Sequence, residues 1–302
     1  MPVPGDYSSD PWLMNIPLKL ARGCYLPTVE PSFVDRCAAL LAISPAETVA
    51  VGRTAATLHG LWLPAEPIVL EFSTCEAGRR SAAMHRSRRP EIHSHRRQMS
   101  ADQRTTVNGV PATSLARTWW DLAADLSLAD LVAAGDRALQ LGCAIGDLEK
   151  MIIAMSRRRG NSRARDAITL LDARSRSRPE SHLRVAVRQA GLDCFGVNEP
   201  ITDLYGQWLA EPDLSCVEAK IALEYQGIDH ADPARMGRDI TRATDLRHHG
   251  WAGVVLRSRA SVATSVADRA GTSAACPAAG TSVVASRQSS LTSGHLDQAW
   301  PS

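Results

Sequence analysis

Apolar residues in the first half of the chain recur at intervals of three and four, the period of a helix with one buried face. SFVDRCAALLAIS (32–44) follows that rule behind a Ser32 cap, and GRTAATLHGL (52–61) follows it again. PIVLEFS (67–73) departs from it, and its bounded, β-branched run predicts a strand. SLARTWWDLAADLSLADLVAAGDRALQLG (114–142) returns to helical spacing and reads as two helices in succession. Residues 156–178 are Arg/Ser-rich around one short helix, which predicts a linker. From 177 to 259 the order changes to helix, strand, hairpin, helix, strand. From 260 onward Ser, Ala and Thr dominate without periodicity, the composition of a segment that buries too little to offset the entropy of ordering.

These patterns predict an α+β protein: an α-rich N-terminal domain (1–155), a linker (156–176), an α/β domain with a central mixed sheet (177–259) and a low-complexity tail (260–302). Composition changes this little. The 302 residues are 44% hydrophobic and carry a net charge of +2, so no strong global field is implied. The seven cysteines are odd in number, scattered and free of CxxC pairs, which excludes a zinc ribbon or a disulfide framework as the organising device. No apolar run approaches the ~18 residues of a membrane span, and the N-terminus lacks a signal-peptide pattern, so a cytoplasmic protein is expected. The positive charge is almost all arginine, with lysine only at Lys19, Lys150 and Lys220. A GC-rich bacterial genome explains that bias as readily as a phosphate ligand does.

The chemistry concentrates in the third zone. SRPESHLRVAVRQAGL (177–192) has capping-box spacing between Ser177 and Glu180, Pro179 in the first turn and Gly191 at the end. Glu180 therefore has a complete structural account as a cap partner. In an extended IALEYQ, Ile221, Leu223 and Tyr225 point one way while Ala222, Glu224 and Gln226 point the other. Asp213 lies across the intervening turn and meets Glu224 if the register allows. Two converging carboxylates make a hard oxygen site suited to Mg²⁺ or Mn²⁺, an ion able to generate hydroxide and stabilise charge on a phosphodiester. A literal PD–ExK reading, Asp213 with Glu218 and Lys220, puts the last two in the turn, where they read as solvated charges.

The ordered set EPDL…IALEYQGIDH…RDITRATDLRHHGWAGVVLR resembles the very-short-patch-repair-like branch of the PD-(D/E)XK endonuclease fold, over about 80 residues (177–258). The resemblance implies a restriction-endonuclease-like domain that hydrolyses DNA phosphodiesters with Mg²⁺. It implies Asp213 and Glu224 as metal carboxylates, Glu180 as the early-helix glutamate and His230 as the histidine near the scissile phosphate. Asp239, Arg242 and Arg257 take the supporting positions, Arg242 on the DNA side. The family commonly has Asp where this chain has Gln226, which can orient a water but brings no charge. The family also continues past the Arg strand into a further helix, where this chain turns to low complexity.

Upstream, ARGCYLP…ETVAVGRTAATLHGLWLP…VNGVPATSLARTWWDLA…AGDRAL (about 20–140) is similar to the antitoxin-like domain of abortive-infection type IV toxin–antitoxin systems, of actinobacterial type. That implies a DNA-contacting or regulatory role and a toxin or defence-system partner, with little room before RGCY for the usual winged helix. RRSAAMHRSRRPEIHSHRRQMSADQR (79–104) packs eight arginines and three histidines into one stretch, the footprint of a phosphate-backbone contact. Arg86, Arg88, Arg89, Arg96 and Arg97 are its DNA-contacting candidates, against a plain solvated β-meander. His93 and His95 lack a third ligand nearby in sequence, His59 reads as a packed histidine, and Trp119 and Trp120 read as core. Two functions follow as expectations: a Mg²⁺-dependent DNA endonuclease, or a non-catalytic DNA-binding regulator carrying a degenerate nuclease fold.

Overall fold

A computed structural model describes residues 18–26, 30–45, 47–74, 90, 92–225 and 244–256. Gln226, His230, Arg86, Arg88, Arg89, Asp239, Arg242, Arg257 and the tail from 260 lie outside the described residues. The chain is α+β, as its periodicity predicts.

The first unit opens with a hairpin, β1 (Leu18–Ala21) and β2 (Cys24–Leu26), followed by α1 (Phe33–Ala42). Ser32 starts α1 as a capping box: its hydroxyl accepts from the Asp35 amide, and the Asp35 carboxylate accepts from the Ser32 amide at 3.1 Å. β3 (Thr48–Ala50), α2 (Gly52–His59), β4 (Leu70–Thr74), β5 (Ile92–Arg96), β6 (Arg104–Val107) and β7 (Val110–Thr113) follow. Their strands form one mixed sheet in the order β5-β4-β3-β7-β6, an element that the helical periodicity of this region did not announce. Phe72, Leu70 and Val110 pack from it against Leu40, Ala55 and Leu58 of α1 and α2.

A helical bundle comes next: α3 (Leu115–Leu122), α4 (Leu128–Gln140), α5 (Ile145–Ala154) and α6 (Asn161–Ile168), around Trp119, Leu131 and Leu148. The two tryptophans are core, as expected, and each indole N–H is satisfied: Trp119 donates to the Leu131 carbonyl at 2.9 Å and Trp120 to Asn161 Oδ1 at 2.8 Å. Asn161 belongs to the segment expected to be a linker. Its helix α6 buries Ala164 and Ala167 completely in the bundle, so the boundary expected near 155 falls inside a packed core. Arg163 of the same helix donates to the Ala123 carbonyl at 2.8 Å, so an arginine that suggested a linker helps fasten α6 to the bundle.

α7 (Arg178–Gln189) joins the bundle to the second sheet, and its two faces are both apolar. Val185 enters the bundle core, while Leu183 and Val187 pack under β11 (Leu214–Cys216) and β12 (Ile221–Tyr225). This sheet has the order β13-β12-β11-β8, with β8 at Gly196–Val197 and β13 at Ala252–Leu256; β12 and β13 run parallel and the other pairs antiparallel. β9 (Ile201–Thr202) and β10 (Trp208–Ala210) form a separate hairpin. Residues 244–248 are helical, and Gly250 follows them in the left-handed region.

The α4–α7 seam is electrostatic as well as apolar. Asp136 of α4 is fully buried and accepts from the Ser181 hydroxyl at 2.6 Å, the Asp172 amide at 2.7 Å and the Arg184 guanidinium. Arg184 also donates to the Leu170 carbonyl. Burial pushes the Asp136 carboxyl up, and the Arg184 charge opposes that most strongly. Arg184→Ala leaves this carboxylate without its cation, and a urea titration is expected to show a loss of about 3–5 kcal/mol. Arg159→Ala, which removes an exposed pair with Asp125 and a long bond to the Ala124 carbonyl, is expected to change stability by less than about 1 kcal/mol.

Candidate active site

β11 and β12 are joined by a four-residue turn, Val217–Lys220, with Lys220 in the left-handed region at φ 49°. Glu218 and Lys220 are exposed there, as the alternation of the strand predicts, and Lys220 Nζ donates to the His249 carbonyl at 3.2 Å. The literal PD–ExK reading therefore finds no site in this turn. The register aligns Leu214 with Leu223, which sets Asp213 opposite Glu224 one step further along. Ile221, Leu223 and Tyr225 face α7, whereas Ala222 faces Ile201, Ala210, Leu246 and Trp251. Glu224 shares that second face by the two-residue period of a strand.

Asp213 is half-buried, and its Oδ2 accepts from the Tyr225 amide at 2.7 Å. Its carbonyl accepts from the Asn198 amide at 3.1 Å, which extends the β8–β11 ladder to this residue. Burial pushes its carboxyl up to about 6; the Tyr225 amide opposes this, and the negative charges of Glu180 and Glu224 add to it. Carboxylates from α7 and β12 thus both act on Asp213 at the start of β11. Arg176 supplies a compensating positive charge.

Glu180 is the most committed of the three. Its Oε1 accepts from the Ser177 hydroxyl at 2.8 Å, and its Oε2 accepts from the Arg176 amide at 2.7 Å and the Asn198 side-chain amide at 3.0 Å. Ser177 caps α7 as expected, but the Glu180 carboxylate accepts from the Arg176 amide and not from the Ser177 amide that a capping box would use, and it also ties the start of α7 to the loop after β8. Asn198, at φ 49°, was absent from the sequence-predicted set; it links Glu180 to Asp213 through its side chain and its backbone.

Among the described residues no group of three or more His, Cys, Asp or Glu side chains is arranged to hold a metal ion. Asp213 and Glu224, set opposite each other by the register, are the two carboxylates that would hold an ion there, with backbone and solvent oxygens needed to complete its shell. A buried oxygen supports this fit. Ser215 Oγ, on the same strand face as Asp213, has no hydrogen-bond partner among the described residues. It is a neutral hard donor turned toward the carboxylate face.

The basic stretch resolves differently. Arg96 lies on the edge strand β5, and its side chain is outside the described residues. Arg97, expected at a DNA surface, pairs with Asp121 at 2.6 Å, and that carboxylate is only 1% exposed. Arg117 joins it at 3.0 Å and donates onward to Gln103. The Arg97 charge is therefore spent inside the protein rather than offered to a phosphate. His95 pairs with Glu71 at 3.2 Å, and Glu71 also accepts from the Arg53 amide. Glu71 thereby caps α2, whose N-cap Val51 has no capping side chain. Gly52 has φ 55°, and a Cβ there would collide with the Glu71 carboxylate, which explains a glycine at this helix start. His59 is a packed histidine, held at 2.7 Å by the Thr113 carbonyl and pushed down by burial.

The raised Asp213 carboxyl has a thermodynamic consequence. The folded protein holds this proton more tightly than the unfolded chain, so the group costs stability as pH rises from about 4 through about 6. Asp213→Asn keeps an acceptor for the Tyr225 amide and removes the charge. In urea titrations it is expected to be more stable than the parent by about 1–3 kcal/mol at pH 7, with the gain vanishing near pH 4.

No family model matches the chain, and no solved structure matches it. Among the described residues no helix is long and apolar enough to cross a membrane. Two curated relatives match over 229 residues at 30% identity, covering 74% of this chain and 79% of theirs. They are the uncharacterized proteins Rv2248 and MT2308 of Mycobacterium tuberculosis strains H37Rv and CDC 1551. This chain belongs to the same family as these two mycobacterial proteins.

Proposed function

We propose that the protein is a Mg²⁺-dependent, DNA-cleaving phosphodiester hydrolase whose site lies between α7, β11 and β12. The observation that carries this reading is the register that sets Asp213 opposite Glu224, with Glu180 coupled to Asp213 from the start of α7. Helix, strand, hairpin, helical segment and parallel strand also follow in the order expected for the nuclease resemblance. A bound divalent ion supplies Lewis acidity and offsets the charge that builds on a cleaving phosphodiester. Asp213 and Glu224 hold that ion through hard oxygens. Glu180 fixes the start of α7 and raises the negative potential at the site. Arg176, whose charge Asp213 feels, pairs with Glu211 through Nη2 yet stays more than half exposed, which leaves its other nitrogens to a phosphate oxygen. Gln226 and His230, expected to orient water and phosphate, complete the proposal from the sequence.

The second reading is a DNA-binding, antitoxin-like regulator with the same fold and no catalysis. It is favoured by the neutral Gln226 and by the three donors already occupying Glu180. Calorimetry with Mg²⁺ and a nicking assay on plasmid DNA with Mg²⁺ or Mn²⁺ separate the two. The nuclease reading expects metal binding and nicking in the parent, with nicking reduced at least a hundredfold in Asp213→Ala and in Glu224→Gln. Activity that survives in both variants, or a parent that neither binds the ion nor cuts, counts against it.

A further inference from the structure

The β9–β10 hairpin carries large side chains where a hairpin that needed only solubility would place polar ones. Leu204 is 99% exposed, Tyr205 90% and Trp208 60%, all within one short tip. The tip is held firmly. Asp203 Oδ1 accepts from the amides of Tyr205 and Gln207, both at 2.8 Å, and the Asp203 amide donates to the Gln207 carbonyl at 2.9 Å. Gly206 closes the turn at φ 80°. The root is equally fixed, since Ile201 and Ala210 are buried against Ala222. Ala222 and Glu224 lie on one face of β12, about 7 Å apart along the strand, so the hairpin stands on the face that presents the candidate site.

Charge is distributed to match. The carboxylate at each foot of the hairpin is neutralised by an arginine of the 170–177 segment: Glu199 by Arg174 at 2.8 Å, and Glu211 by Arg176. Both arginine side chains remain more than half exposed. Asp203 spends its acceptor on the turn. Arg174 is also held by Asp172 through Nε and Nη2, so its guanidinium is fully engaged, and Arg176, which reaches the field of Asp213 and pairs with Glu211 through Nη2, is the guanidinium left exposed beneath the aromatic tip.

We infer that this hairpin is a nucleobase-stacking finger and that the strand it grips is single-stranded DNA. Tyr205 and Trp208 offer flat faces to unpaired bases, Leu204 packs beside them, and Arg176 meets a phosphate below. A paired duplex hides its base faces, so such a tip gains most from a strand whose bases are free. The eight Cα-to-Cα steps from Tyr205 to Asp213 span at most about 28 Å when extended, which keeps the stacked bases within a few nucleotides of the carboxylates. The inference rests on the nuclease reading for its link to cleavage, but base stacking stands or falls separately.

The test uses the full chain carrying Asp213→Asn, without divalent ions, so that nothing is cut. Fluorescence anisotropy compares a labelled short oligothymidylate with a mixed-sequence duplex of the same length. The oligothymidylate is expected to bind more tightly. Adding Tyr205→Ala or Trp208→Ala is expected to weaken that binding about tenfold each while leaving the thermal midpoint unchanged, because both side chains are exposed. Unchanged oligothymidylate binding in both variants overturns the finger. So does an effect confined to sedimentation, which would make the tip a contact between protein copies. If Asp213→Ala abolishes nicking while the tip variants bind normally, the finger fails and the nuclease reading stands. If the parent never nicks but the tip variants lose oligothymidylate binding, the nuclease reading fails and the finger stands.

Discussion

Asp136 sits at complete burial with four connections: the α4 backbone that carries it, the Ser181 hydroxyl, the Arg184 guanidinium and the Asp172 amide. A carboxylate in that position is tolerable only when every acceptor site is met and a cation lies opposite. The requirement locks α7 against α4 in one rotation and one register, and it draws the 170–175 segment into the same seam. Arg178 and His182 reinforce the lock through Asp130, at 2.7 and 2.8 Å. With that face of α7 taken, Leu183 and Val187 are left to build the core under the second sheet. The first turn of α7 then lies beside the start of β11, which is how Glu180 comes to share a potential with Asp213.

The site itself runs against stability. Desolvation and two neighbouring negative charges raise Asp213, and the fold accepts this because the Tyr225 amide and the ladder through Asn198 hold the residue where it is. A carboxylate kept beside its like in a half-buried position is the common signature of a site that awaits a cation or a proton. The same seam places Arg174 and Arg176 at the foot of the hairpin, so one packed helix organises the carboxylates, the guanidinium groups and the aromatic tip together.

Local signals were legible where local physics decides. Ser32 and Ser177 cap helices as their spacing predicts, and Gly191 and Gly250 follow helices in left-handed conformations. The two-residue alternation of IALEY assigned Glu224 and Leu223 to opposite faces, and the short turn at 217–220 then brought Asp213 opposite Glu224. What escaped was set by contacts distant in sequence. The N-terminal sheet is made of strands such as Thr48–Ala50 and Val110–Thr113, too short for a period to declare itself. Asn108–Gly109, both at positive φ, was the one overt hairpin signal in that region. Arg97 read as surface because its partner Asp121 lies 24 residues away, and 156–176 read as a linker because its alanines are buried by a bundle that composition does not describe. The exposed tip at Leu204–Trp208 was likewise invisible, although Asp203 and Gly206 marked its turn.

The proposed site requires Asp213 to be a half-buried carboxylate that feels Glu180 and Glu224 and releases its proton to solvent when a cation binds. Carbon-detected NMR titration of the Asp213 carboxyl, without and with saturating Mg²⁺, measures this directly. The account predicts a midpoint near about 6 in the absence of the ion and a fall to below the ordinary aspartate value of about 3.9 in its presence. A midpoint near that ordinary value, unmoved by Mg²⁺, would contradict it.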